Sequence, residues 1–127
     1  MSLKLRQIVL MSRDKHLLSS FLSELLELDL VPTGEGVRLS GAGFQLLILE
    51  SSSASSQSIQ NAALLIDFAV DSYDALSELQ QKCQFFAYRF QLPAHSEAEI
   101  KKMGALSYFI LKDPEGRKCK FSFVSAA

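Results

Sequence analysis

The apolar and polar positions in the first half of the chain predict one helix among several strands. Residues 4–11 form a short apolar run that is typical of a buried strand. After Asp14, a residue type favoured at helix N-caps, apolar side chains recur at helical spacing until Leu28. Residues 30–39 then predict two short strands, and residues 44–50 predict a strongly apolar one. The predicted order is therefore one strand, one helix and three strands.

The second half of the chain begins with the same pattern. Residues 62–70 predict an apolar strand, and Asp71 or Ser72 is expected to cap a second amphipathic helix. The aromatic-rich residues 85–90 predict a further strand. Residues 91–104 form a longer excursion, which we interpret either as a solvated loop or as a lid.

A predicted β-hairpin near the end of the chain organises this second half. Its strands are residues 105–112 and 118–124. Between them, residues 113–116 (Asp-Pro-Glu-Gly) place Asp, Pro and Gly at the positions that a type I turn favours. Apolar and polar side chains alternate along the second strand. We therefore expect a tight hairpin whose second strand has one apolar and one polar face.

The two halves match in pattern, although few of their residues are identical. A constant shift along the chain aligns their first strand and helix without gaps, so that Ile8 falls on Ile66 and Leu18 falls on Leu76. Each half then continues with about three strands. The sequence therefore predicts a βαβββ unit that occurs twice, each copy burying one face of its sheet under its own helix.

The expected organisation is a single domain, residues 1–127, that contains both units. Unit one spans residues 4–50, and unit two spans residues 61–124. Residues 51–60 are polar, serine-rich and low in complexity, which is typical of a linker. We expect an α+β fold in which the two units form a curved mixed sheet around a concave pocket.

Composition and charge argue against several classes of function. The chain has 127 residues, of which 48% are hydrophobic and 21% charged, and its net charge is −1. Because it has no basic tract, we expect no nucleic-acid partner and no binding to anionic membranes. No apolar run reaches a membrane-spanning length and the first residues show no signal-peptide core, so we expect a cytoplasmic protein without a membrane partner. Cys83 and Cys119 have no CxxC spacing, and His16 and His95 are the only histidines, which argues against a disulfide or a His-rich metal site.

Two stretches and the tandem pattern carry a family resemblance. The stretches are residues 5–10 (Leu-Arg-Gln-Ile-Val-Leu) and residues 109–116 (Phe-Ile-Leu-Lys-Asp-Pro-Glu-Gly). With the tandem βαβββ order over residues 4–124, they resemble the glyoxalase/bleomycin-resistance family, also called the vicinal oxygen chelate superfamily. The resemblance implies a sheet-lined pocket and a homodimer. Enzymes of the family hold a divalent metal in that pocket, whereas relatives without the metal bind drugs or sequester small molecules.

The resemblance assigns the metal ligands of such enzymes to positions in this chain. The first ligand, His or Gln in the family, falls on Gln7, whose amide oxygen can bind a metal. The second ligand, a carboxylate, falls near Leu47 if the turn at Gly43 is matched to the turn at Gly116, and the nearest donor residues are Gln45 and Glu50. In a regular strand Gln45 shares the face of Leu47, whereas Glu50 points to the other face.

The remaining two positions carry residues that cannot replace the family ligands. The third ligand, a His, falls on Leu65, and the fourth, a Glu, falls on Lys120, whose ammonium has no lone pair and repels a cation. We therefore expect no metal or other cofactor and assign no catalytic residue. If a divalent metal does bind, Gln7 and Glu50 are the candidate ligands.

Polar residues expected on the concave side define a candidate ligand-binding site. Strand alternation places Gln7, Asp67 and Lys120 on that side, and Asp67 lies in an apolar run where its carboxylate needs a partner. Lys120 is the first candidate partner and Arg89 the second, and Tyr108 offers a ring on which an aromatic ligand can stack. The pair of Asp67 and Lys120 either fills a vestigial site or, with Gln7, orients a polar ligand.

These observations favour a metal-free member of the resembled family that binds an unidentified small molecule, rather than an enzyme. One alternative is a metal-dependent lyase or dioxygenase of the same superfamily. Another is a non-catalytic structural or interaction protein with a degenerate pocket.

Overall fold

The computed structural model describes residues 2–51, 65–89 and 99–126. The described residues fall into two compact units, residues 2–51 in the first and the remainder in the second. Most of the predicted serine-rich linker and most of the predicted excursion lie outside the described residues. Within the described ranges, no helix combines the length and apolar character that a membrane span requires.

Unit one contains one helix and a four-stranded sheet. Its elements are β1 (Ile8–Ser12), α1 (Lys15–Leu26), β2 (Asp29–Pro32), β3 (Val37–Gly41) and β4 (Phe44–Glu50). The strand order is β1-β4-β3-β2, in which β1 and β4 are parallel and the other pairs are antiparallel. The predicted βαβββ order is therefore confirmed for this unit. The first strand begins later than predicted, so Gln7 directly precedes it.

Hydrogen bonds cap both ends of helix α1. Asp14 is the N-cap, and its Oδ1 accepts a hydrogen bond from the backbone N–H of Leu17 at 3.1 Å. At the other end, Glu27 has a left-handed backbone with φ of 55°, and its N–H donates to the carbonyl of Ser23. The helix packs on β3 and β4. The buried side chains that form this part of the core are Leu18, Phe21, Leu22, Leu25, Leu10, Leu39, Leu46 and Ile48.

Unit two repeats the architecture of unit one. Its elements are β5 (Ile66–Ala69), α2 (Tyr73–Arg89), β6 (Lys101–Met103), β7 (Leu106–Lys112) and β8 (Lys118–Val124). The strand order is β5-β8-β7-β6, with β5 and β8 parallel and the other pairs antiparallel. The equivalence of the two orders confirms the predicted α+β fold of two βαβββ units.

The prediction of a strand at residues 85–90 is wrong. Helix α2 continues through these aromatic residues as far as Arg89. Its buried side chains recur at helical spacing, whereas Phe85 and Tyr88 are exposed. Aromatic residues favour strands only where a sheet buries them, and here the helical period decides the structure. Among the described residues, the next strand after α2 is β6, inside the region predicted as an excursion. The buried residues of α2 are Leu76, Cys83, Phe86 and Ala87.

The predicted turn between β7 and β8 is confirmed, and a buried ion pair between Asp113 and Arg117 links its two ends. The N–H of Gly116 donates to the carbonyl of Asp113 at 2.9 Å, and Gly116 has φ of 88°, a value that favours glycine. Oδ1 of Asp113 accepts from the N–H groups of Glu115 and Arg117, each at 2.9 Å. Its Oδ2 lies 2.7 Å from the Nη1 of Arg117. Burial raises the pKa of the Asp113 carboxyl, while Arg117 and the two backbone N–H groups oppose that rise.

The two cysteines belong to the core of unit two. Cys83 on α2 and Cys119 on β8 are both buried free thiols. Burial raises the pKa of each thiol to about 12. Because the thiolate is the reactive form, neither side chain is a candidate nucleophile at neutral pH.

Candidate functional site

The sheet of unit two has one face under α2 and one face that carries polar side chains. Phe109 and Phe121 are buried on the helix side, with ring centroids 5.1 Å apart. Strand alternation therefore places Lys120 and Ser122 of β8 on the opposite face. In the strand register, Asp67 of β5 pairs with Lys120, and Tyr108 of β7 pairs with Ser122. We call these four residues, Asp67, Tyr108, Lys120 and Ser122, the Asp67 cluster.

The Asp67 carboxylate is the centre of this cluster. Ser122 Oγ donates a hydrogen bond to Asp67 Oδ1 at 2.7 Å. The Nζ of Lys120 lies 3.7 Å from Asp67 Oδ2, an ion-pair distance that is longer than a hydrogen bond, and 4.9 Å from the centroid of the Tyr108 ring. The Lys120 side chain is 23% exposed and that of Asp67 is 47% exposed. Lys120 therefore stays available to donate hydrogen bonds to a ligand, and Asp67 keeps an oxygen that can accept one.

The structure brings together three of the predicted binding residues and separates a fourth from them. Asp67, Lys120 and Tyr108 share one face, as alternation predicted. Arg89 lies instead at the end of α2, where its guanidinium carbon is 5.8 Å from the centroid of the buried Phe86 ring. Because residues 85–89 continue α2 and do not form a strand, Arg89 is not on the sheet face that carries Asp67. Ser122 was not predicted as a site residue, although it belongs to the polar face of the predicted second strand of the hairpin.

The predicted metal-ligand positions occupy equivalent places in the two units. In unit one, Val9 pairs with Leu47, and in unit two Asp67 pairs with Lys120. Leu47 and Lys120 are therefore equivalent. Gln7 and Leu65 are equivalent too, because each directly precedes the first strand of its unit.

Glu50 does not lie with Gln7 in unit one. The Oε1 of Glu50 accepts a hydrogen bond from the backbone N–H of Lys15 at 3.4 Å, which places the carboxylate at the N-terminus of α1. Gln45 is exposed and shares the face of Leu47 by strand alternation. Glu50 therefore acts as a local partner of the helix, on the opposite face of the sheet from Leu47.

The residues at the four assigned positions do not fit the family metal. Gln7 supplies one amide oxygen, and Leu47 and Leu65 supply hydrocarbon. Lys120 supplies an ammonium that is already close to Asp67. In the part of the chain that the structure describes, no group of three or more His, Cys, Asp or Glu side chains is placed to hold a metal ion.

Gln7 belongs to a small cavity in unit one. The cavity has a volume of about 200 Å³. Its position next to Leu47 places it on the face of the sheet opposite α1. The side chains that line it include Arg6, Gln7, Thr33, Glu35, Arg38 and Leu47. Apart from Gln7 and Leu47, no sequence pattern groups these residues, because only the strand register and the loop between β2 and β3 bring them together.

Comparison with known proteins identifies the fold. No family model and no curated protein matches the sequence. Among solved structures, the chain is similar to the fosfomycin resistance protein FosX from Listeria monocytogenes, with 15% identity and a TM-score of 0.72 over 98% of this chain and 96% of that one. It is similar to lactoylglutathione lyase from Agrobacterium tumefaciens, with 13% identity and a TM-score of 0.66 over 94% and 92% of the two chains.

A third similar structure carries the name of the resembled family. It is a glyoxalase/bleomycin resistance protein/dioxygenase family enzyme from Burkholderia phytofirmans PsJN, with 14% identity and a TM-score of 0.70 over 94% of this chain and 97% of that chain. These likenesses span nearly the full length of both chains in each case. The chain therefore has the glyoxalase-type fold, and the resemblance predicted from the sequence is confirmed at the level of the fold.

Proposed function

We propose that this chain is a glyoxalase-superfamily protein that binds a small polar molecule at the Asp67 cluster and uses no divalent metal there. The observation that carries the proposal is the position of Lys120. It occupies the place that the resemblance assigns to a metal ligand, and its ammonium lies 3.7 Å from Asp67. A cationic side chain thus takes the position of a metal-binding carboxylate.

Electrostatics supports the exclusion of a metal by Lys120. A divalent cation 4 Å from an ammonium is repelled by about 2 kcal/mol even in bulk water, and by more where the site is partly buried. The lysine therefore supplies the positive charge that a metal would otherwise provide.

The cluster has the donors and acceptors to orient a small oxygen-rich molecule. The Lys120 ammonium can donate to a carboxylate or carbonyl oxygen, and the Asp67 carboxylate can accept from a hydroxyl group. The Tyr108 ring supports the lysine and offers an apolar contact beside it. This arrangement fits a small hydroxy acid or keto acid and assigns no proton-transfer step.

The main alternative is a metal-dependent lyase or dioxygenase, and the names of two similar structures favour it as the second candidate. One of them is a lactoylglutathione lyase, and the other is a family enzyme whose name includes dioxygenases. The side chains at the assigned metal-ligand positions argue against that alternative, because only Gln7 has an atom that can bind a metal. The homodimer, the concave pocket and the cytoplasmic location stay predictions.

Binding at the Asp67 cluster can be tested with glycolate and pyruvate, a simple hydroxy acid and a simple keto acid. In nuclear magnetic resonance titrations, we expect either acid to shift the backbone amide signals of Asp67, Tyr108 and Ser122. Lys120→Met is expected to weaken binding about tenfold or more, because a charge-assisted hydrogen bond is lost. Lys118→Met removes the same charge from an exposed position on the same strand and is expected to bind like the wild type. Equal responses of the two variants, or no shift at these amides, would count against the proposal.

A further inference from the structure

We propose that unit one carries a second binding site, in which Arg38 holds the oxyanion of a small molecule, a carboxylate or a phosphate group. The site is the cavity of about 200 Å³ described above. It shares no lining residue with the Asp67 cluster, and its argument does not rest on the function proposed for that cluster. We call it the Arg38 cavity.

The sheet places Arg38 at the wall of this cavity. Arg38 lies on β3 directly opposite Leu47 of β4, on the face of the sheet that α1 does not cover. Its side chain is half-buried, whereas Arg6 is exposed at the same cavity. Gln7 adds an amide that can donate hydrogen bonds to the same group. Two guanidinium groups and one amide thus line a single small volume.

Neither arginine side chain has an ion pair or hydrogen bond within the residues that the structure describes. A half-buried guanidinium without an acceptor is costly, since part of its hydration is lost with no hydrogen bond in return. Its planar donors match the oxygens of a carboxylate or phosphate in pairs. An oxyanion in the cavity would satisfy Arg38, and this need for an acceptor is the main argument for the site.

The loop between β2 and β3 positions Glu35, the acidic residue that lines the cavity. Oγ1 of Thr33 accepts hydrogen bonds from the N–H groups of Glu35 at 3.3 Å and Gly36 at 3.0 Å. Gly36 is required there, because a Cβ atom at this position would meet the carbonyl oxygen of Ile48. The loop therefore holds Glu35 at the cavity. Its carboxylate opposes a second negative charge, so the site suits a molecule with one oxyanion and a neighbouring hydrogen-bond donor.

The site can be tested by titrating the isotope-labelled protein with inorganic phosphate and with acetate, using sodium chloride as the ionic-strength control. We expect phosphate or acetate to shift the side-chain amide signal of Gln7 and the backbone signal of Gly36 beyond the shifts caused by chloride. Tighter binding of phosphate identifies a phosphate ligand, and tighter binding of acetate identifies a carboxylate ligand.

Substitutions distinguish anion binding in the Arg38 cavity from a general effect of the protein's charge on anion affinity. Arg38→Gln is expected to weaken anion binding about tenfold or more, and Arg38→Lys is expected to restore only part of it. Glu35→Gln is expected to strengthen binding about two- to fivefold, because a nearby negative charge is removed. Lys4→Gln, a matched loss of charge in the same unit, is expected to bind like the wild type.

Two results would overturn the proposal: shifts no larger than those in chloride, or wild-type affinity in a folded Arg38→Gln variant. Failure of the Arg38 cavity is distinguishable from failure of the Asp67 cluster. Lys120→Met is expected to leave phosphate and acetate binding at Gln7 and Gly36 unchanged, because Lys120 is not among the side chains that line the Arg38 cavity.

Discussion

Replacing Asp113 with alanine is expected to lower the free energy of unfolding by about 3–5 kcal/mol, as removal of one partner of a buried ion pair does. The Asp113 side chain is 1% exposed and that of Arg117 is 10% exposed. The substitution removes a carboxylate that lies 2.7 Å from Arg117, and it removes the acceptor of two backbone N–H groups. Part of this loss comes from the two backbone donors left without an acceptor, at about 1–3 kcal/mol each. Chemical denaturation of the two proteins measures the difference.

Three further variants separate the causes of this loss. Asp113→Asn keeps an oxygen for the two N–H groups but loses the charge, so we expect it to be more stable than Asp113→Ala. The double variant Asp113→Ala with Arg117→Ala removes both partners of the ion pair, and we expect it to be at least as stable as Asp113→Ala alone. Lys118→Ala, at an exposed position of the same hairpin, is expected to stay within about 0.5 kcal/mol of the wild type. A loss below about 1 kcal/mol for Asp113→Ala would show that the ion pair does not hold the turn.

Replacing Phe121 with alanine is expected to cost about 3–5 kcal/mol, because it removes a buried ring from the centre of the unit-two sheet. Phe121 is 1% exposed. Its ring centroid lies 5.4 Å from that of Phe68 and 5.1 Å from that of Phe109. The substitution would therefore leave a cavity beside rings from β5 and β7. The free energy of unfolding from chemical denaturation is again the measurement.

Phe85→Ala is the matched control for this substitution. Phe85 lies on α2 and is 61% exposed, so the same chemical change is expected to cost less than about 0.5 kcal/mol. Similar losses for the two variants would mean that the face of α2 that contacts the sheet has been assigned wrongly.

Local patterns were enough to predict most of the fold. Residues 113–116 carried the turn chemistry, and strand alternation in β8 placed Phe121 and Lys120 on opposite faces before any contact was known. The left-handed backbone of Gly116 follows the predicted turn in the same way. The strand prediction for residues 85–90 was wrong because their aromatic composition favoured a strand. The helical period becomes visible only from the burial of Cys83 and Phe86 on one side of α2.

The candidate sites were harder to predict from the sequence than the fold was. Asp67 and Lys120 could be paired because both positions follow from the repeat and from alternation. Ser122 contacts Asp67 only because β5 and β8 are parallel neighbours in one register. Arg38 and Glu35 come to one cavity through the register of β3 and a short loop, and neither feature has a local sequence signal.

The absence of a family metal is tested most directly by native mass spectrometry of the untagged protein, before and after addition of Mn²⁺, Fe²⁺, Ni²⁺ and Zn²⁺. We predict that the wild-type mass contains no metal and that no stoichiometric uptake follows, because Leu47, Leu65 and Lys120 hold the ligand positions. One metal ion per chain that survives buffer exchange would contradict the account. In that case side chains other than Leu47, Leu65 and Lys120 would have to bind the metal. The chain should then be assayed as a metal-dependent lyase or dioxygenase.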